Sequence, residues 1–179
     1  MTEQELTAYA LGLGFADAKI AATEDLVFDP SFRPYCAENL CGQYGVNYTC
    51  PPGCGSPEEM KEKIIRHKKA LVMESLWDVK DYSDQAAIKK GKASHNHWQI
   101  QVLKEARSRG TDGFLVGASG CSLCSPCRMK AGEPCCFPDL RWSCMSAYCI
   151  FVRKLADLCG MEYDPGPGLV TFYGMFVFD

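Results

Sequence analysis

Three cysteines spaced two residues apart constrain this chain more than any other feature. Cys121, Cys124 and Cys127 open the stretch GCSLCSPCRMKAGEPCCFPD, which also holds Cys135 and Cys136. A two-residue gap lets a tight loop turn successive thiolates toward one centre, and bacterial ferredoxin runs use this triple to hold a cubane cluster. Zinc sites more often pair two separated Cys-x2-Cys hairpins around one tetrahedron, so a third cysteine at the same pitch is less natural there. The spacing therefore favours a [4Fe–4S] cluster, with zinc as the alternative. Seven residues separate Cys127 from Cys135, a gap that permits Cys135 to close the same site. Cys136 is either a substitute ligand or a resolving thiol for redox chemistry.

At 179 residues the chain can bury a core without covalent staples, so its 12 cysteines are not needed merely for folding. The N-terminal MTEQELTAYALGLGF lacks the basic and apolar regions of a secretory signal, and no apolar run approaches a bilayer span. A cytoplasmic location is expected, where thiols stay reduced and clustered cysteines act as ligands or catalytic groups. With 19 basic against 22 acidic residues there is no electrostatic footprint for nucleic acid or an anionic membrane. The basic runs KEKIIRHKK and KKGK read as solvated helix faces.

A second cysteine group precedes the first in the chain. CAENLCGQYGVNYTCPPGC carries Cys36, Cys41, Cys50 and Cys54, four thiols whose irregular spacing fits several metals. A cluster held by four thiolates is anionic, and the helix expected to begin at Ser56 would set its positive end directly after Cys54. Gly42, Gly45, Gly53, Gly55, Gly117 and Gly120 flank the cysteines, either letting backbone N–H groups approach sulfur or simply forming turns.

Around these loops, about 33–56 and 119–145, the pattern is that of a layered α/β or α+β domain spanning 1–179, a sheet with flanking helices. Helices are expected over 2–13, from Ser56 to about 67 behind a Ser-x-x-Glu capping box, over 93–110, and over 145–160. Strands are expected within 18–29, 70–77 and 112–119, with a final strand or hairpin over 169–179. PSFRP breaks regularity before the first loop, and the GLGF run from Gly12 to Phe15 reads as a helix stop rather than a phosphate loop. If the strands leading into the two loops share a sheet edge, the two cysteine groups should be neighbours.

Cys144, Cys149 and Cys159 fall in or near the last apolar helix, where a cysteine acts as a small hydrophobe. His95 and His97 point in different directions on a helix, unlike a zinc pair at four residues, and with His67 read as surface or partly buried structure. Asp112, Asp139 and Asp157 have no partner at acid–base spacing, and no nucleotide or hydrolase fingerprint is present.

The blocks C-x4-C-x2-YG-x4-CPP at Cys36, Cys41, Tyr44, Gly45, Cys50, Pro51 and Pro52, then CSLCSPC and EPC through Cys135, resemble a family of uncharacterised bacterial and archaeal proteins described as predicted metal-binding. The resemblance covers most of the chain and implies a bound iron–sulfur cluster or other metal, without a reaction. Cys136 stands where that family has arginine, and Cys149 where it has glycine. Three functions are consistent with the cysteines. One is a redox accessory protein passing electrons from one or two [4Fe–4S] clusters to a partner protein. The others are an enzyme using an open cluster iron as Lewis acid, and a zinc-stabilised interaction module.

Overall fold

The computed structural model describes residues 1–179. Its layers follow from strand alternation. In the strand Lys69–Asp78, Ala70 and Val72 enter one apolar cluster while Leu71 and Met73 enter another, because successive side chains point to opposite faces. The run Ala-Leu-Val-Met is apolar throughout because both faces of the sheet are covered.

Five strands form that sheet: β1 (Asp17–Ala22), β2 (Lys69–Asp78), β3 (Gly113–Gly117), β4 (Ser143–Cys144) and β5 (Leu169–Phe178), in the order β1-β2-β5-β3-β4. All neighbours are antiparallel except β3 and β4, which run parallel. Five helices accompany it: α1 (Glu3–Leu13), α2 (Arg33–Ala37), α3 (Pro57–Ile65), α4 (Gln85–Ser108) and α5 (Val152–Cys159). Leu6, Ala10, Val102, Leu103 and Ala106 of α1 and α4 cluster with Leu71, Met73 and Phe176 of the sheet. Met60, Ile64, Leu155 and Ala156 of α3 and α5 cluster with Val72, Met175 and Val177. The architecture is α+β, with helices on both faces of a mixed sheet. No helix is long and apolar enough to cross a membrane.

Local signals placed several boundaries correctly. Ser56 and Glu59 form the reciprocal capping box at the start of α3, and Gly14 ends α1 in the left-handed conformation at φ 116°. The final segment is one ten-residue strand rather than a hairpin. Within 30–37, PSFRP does not stay irregular: a 3-10 turn at Pro30–Phe32 leads into α2.

Two helices differ from expectation. α4 begins at Gln85, capped by Asp84, well before residue 93. Gly91 lies inside it because a Cβ there would stand 2.8 Å from the Trp77 ring and 2.9 Å from that of Phe172. The segment 145–160 is helical only from Val152. Turns occupy 145–149, Cys149 adopts φ 57°, Phe28 bridges Ile150, and the Phe151 N–H donates to the Val27 carbonyl at 2.9 Å, so turns and a short bridge replace the first half of the helix.

His95 is fully buried rather than at the surface. Trp77 Nε1 donates to Ser75 Oγ at 2.7 Å, and the same hydroxyl is hydrogen-bonded to His95 Nδ1, also at 2.7 Å. Burial pushes the imidazole pKa down to about 3 from 6.5, so the ring is neutral near neutral pH. Between these values the unfolded chain takes up a proton that the folded one refuses, so this stability is complete above pH 6.5 and declines as pH falls toward 3. In denaturant titrations across that window, His95→Gln should flatten the pH dependence by about 1 kcal/mol per pH unit. An unchanged slope would show that other groups carry it.

Candidate metal centre

The second cysteine loop occupies the connection between the parallel strands β3 and β4, and both its ends are stapled. Asn96 of α4 accepts from the Ala118 N–H at 3.2 Å and donates to Ser119 Oγ at 2.8 Å. Trp142 Nε1, at the far end of the loop, donates to the Ser119 carbonyl at 2.8 Å. Gly117 is a packing glycine rather than a turn, since a Cβ there would come 2.3 Å from the Trp142 ring. Beyond these staples, Cys121, Cys124, Cys127 and Cys135 line one narrow cavity together with Asn47, Thr49, Phe137 and Arg141. Cys136 is exposed and does not line it.

The first loop reaches the same place by an indirect route. β1 ends beside the start of β2, at Ala22↔Lys69, whereas β3 ends beside Met175, in the interior of β5. The strands entering the two loops therefore finish at opposite sheet edges. The loops nevertheless meet, because Val27–Asp29 pairs back along Cys149–Phe151 and carries the chain across. Arg33 secures the arrival, donating through Nη1 to the Gly55 carbonyl and through Nη2 to that of Ala147, each at 2.7 Å.

Asn47 joins the loops. Its side chain is buried, and Nδ2 donates to the Cys121 carbonyl at 2.9 Å while Oδ1 accepts from Thr49 N at 3.1 Å and Thr49 Oγ1 at 2.9 Å. Thr49 Oγ1 in turn accepts from the Cys121 N–H at 3.3 Å, and Tyr48 donates to the Glu133 carbonyl at 2.7 Å. Gly120 lies so close that a Cβ on it would come 3.0 Å from Cys50 Sγ.

Between the loops is a cavity of about 690 Å³. Cys36, Cys41, Cys50 and Cys144 line it, as do Cys121, Cys124 and Cys127 from the other loop. Lys89, Lys92 and Lys130 are in its wall, and no carboxylate is. Cys54 is not part of that lining; it packs against the core below. Cys149 is buried beside Cys36, and Cys159 packs into the sheet core far along α5. Nowhere do three or more His, Cys, Asp or Glu side chains converge on a point that could hold a single metal ion. The thiols instead stand around cavities.

Burial governs these thiols. It pushes the Cys50 pKa up to about 12, with the charges of Cys144, Cys41 and Cys54 adding to the effect. Burial also raises Cys121, opposed by the backbone N–H groups of Leu123 and Trp142, and raises Cys54, opposed by the Arg33 guanidinium. Raised in this way the thiols stay protonated near neutral pH, so metal uptake by any of them would release protons. The cation beside Cys54 is Arg33 rather than the end of α3. Ser56 and Glu59 already cap that helix end, and Glu58 and Glu59 offset its charge.

The fold and its thiol-lined cavities are those of a predicted metal-binding protein. The chain belongs to the family described as Predicted metal-binding protein (DUF2284), whose model matches residues 19–178 and so takes in both cysteine loops. No curated protein and no solved structure matches the chain.

Sequence reasoning missed Asn47, Arg33 and Asn96, whose importance lies in contacts far along the chain that no local pattern encodes. Asn47→Ala should lower stability by about 2 kcal/mol, since it orphans buried partners in both loops. It should also speed metal loss to a chelator from both cysteine groups, read by denaturant melts and metal release. Selective loss from one group would contradict the shared tether.

Proposed function

We propose that the protein holds [4Fe–4S] clusters through cysteine thiolates and passes single electrons to a redox partner protein. The supporting observation is that Cys121, Cys124, Cys127 and Cys135, separated by up to seven residues, surround one cavity with no carboxylate or imidazole among the donors. An all-thiol donor set suits iron–sulfur clusters or zinc, and the evenly spaced triple favours the cluster. When bound there, a cluster supplies reversible one-electron chemistry. The chain contributes ligation, the N–H groups of Leu123 and Trp142 at the Cys121 sulfur, and lysine charge to offset an anionic centre. Cys36, Cys41 and Cys50 of the first loop are candidate ligands of a second cluster, and the contact between the loops favours relay between the two. Tyr35 and Leu40, exposed at 65% and 90% beside Cys36 and Cys41, offer an apolar contact to a partner protein.

One observation favours a second reading, an enzyme with an open cluster iron. The wide cavity is large enough for a small molecule and its lysines suit an anionic one. Small carboxylates or phosphates that perturb the spectrum of the loaded protein would support it over simple electron transfer.

Protein purified without oxygen should be brown, bleach with dithionite, and contain iron and sulfide in equal amounts, about four or eight of each per chain. Stoichiometric zinc without sulfide would overturn the reading in favour of a zinc-stabilised module. Cys124→Ser should abolish the second-loop cluster because oxygen replaces a soft thiolate, whereas Cys159→Ser should retain it and lose only packing. Equal metal loss in both variants would show that Cys159 is misassigned.

A further inference from the structure

We propose that Cys144 of β4, rather than Cys54, is the fourth thiolate of the first metal site, joining Cys36, Cys41 and Cys50. The inference rests on the thiolate-metal reading above but does not depend on which metal is bound.

Two observations carry it. Cys144 lines the inter-loop cavity with Cys36, Cys41 and Cys50, and Cys54 does not. Among thiol charges, that of Cys144 bears on Cys36 and on Cys50 more strongly than their sequence neighbours do, and Cys41 is the thiol that bears most on Cys144. The four sulfurs thus face one cavity, although 90 residues or more separate Cys144 from the rest.

The test compares metal content and labelling in anaerobically reconstituted protein. Iron and sulfide should fall by about half in Cys144→Ser, with the second-loop site intact, and stay at the wild-type level in Cys54→Ser. If wild-type protein carries zinc without sulfide, the iron–sulfur reading fails, while the same halving of zinc in Cys144→Ser still supports this assignment. Full metal content in Cys144→Ser, or a loss in Cys54→Ser that matches it, overturns the assignment. Because Cys144→Ser could disturb β4, unmutated protein provides a second measurement. Mass-spectrometric mapping of iodoacetamide labelling should find Cys144 blocked in loaded protein and reactive after chelation, together with Cys36, Cys41 and Cys50. Identical labelling of Cys144 before and after metal removal overturns the proposal.

Discussion

The parallel pairing of β3 with β4 is the constraint on which the thiol region depends. Only Val116↔Ser143 and Gly117↔Cys144 are in register, so the strand pair has little stability of its own. It persists because the sheet core continues beneath it and because Trp142, packed on Gly117, also holds the Ser119 carbonyl. That short ladder closes the second cysteine loop at its base. It also sets Cys144 at the level where the loop begins, facing the first loop. A side chain at Gly117 would push Trp142 out and open both ends of the loop together, since one ring serves as packing partner and hydrogen-bond donor.

Electrostatics then shape what surrounds the sulfurs. Taking thiolates out of water is unfavourable, and here burial raises Cys36, Cys50, Cys54, Cys121 and Cys144 together. Compensation comes from scattered sources rather than from one helix end. Backbone N–H groups serve Cys121 and Cys144, Arg33 serves Cys54, and three lysines without a carboxylate line the shared cavity. Arg33 has a structural task as well, tying Gly55 of the first loop to Ala147 after β4, so charge compensation and loop attachment are one contact network.

The layered fold, the capping box at Ser56, the glycine stop at Gly14 and the two cysteine loops were legible because each is a local pattern. The first turns of α4 lie outside the 93–110 span that apolar periodicity marked, and the helix runs through Gly91 because that position is a site of close approach to Trp77 and Phe172. Cys149 concealed the break before α5. Apolar periodicity ran straight through it, yet its left-handed φ of 57° is a conformation that glycine adopts without strain and a side-chain-bearing residue rarely does. The meeting of the loops was expected from a shared sheet edge. It arises instead from the pairing of Val27–Asp29 with Cys149–Phe151. Cys144 could not be read as a neighbour of Cys36 at all, because that proximity exists only once β4 has joined the sheet.

The two apolar clusters draw almost entirely on elements outside the cysteine loops: α1 and α4 on one face, α3 and α5 on the other. The loops contribute few apolar side chains to these clusters and are held mainly by polar tethers such as Asn47, Asn96 and Arg33. Their order therefore depends on hydrogen bonds that water can replace and on whatever the thiols bind, whereas the sheet depends on burial that needs no ligand. A scaffold held by apolar burial thus carries loops held by polar tethers, and any ligand that the thiols take would add to those tethers without being required for the sheet. Exposed Leu40 and Tyr35 lie in the first of these polar-tethered loops, directly beside Cys36 and Cys41.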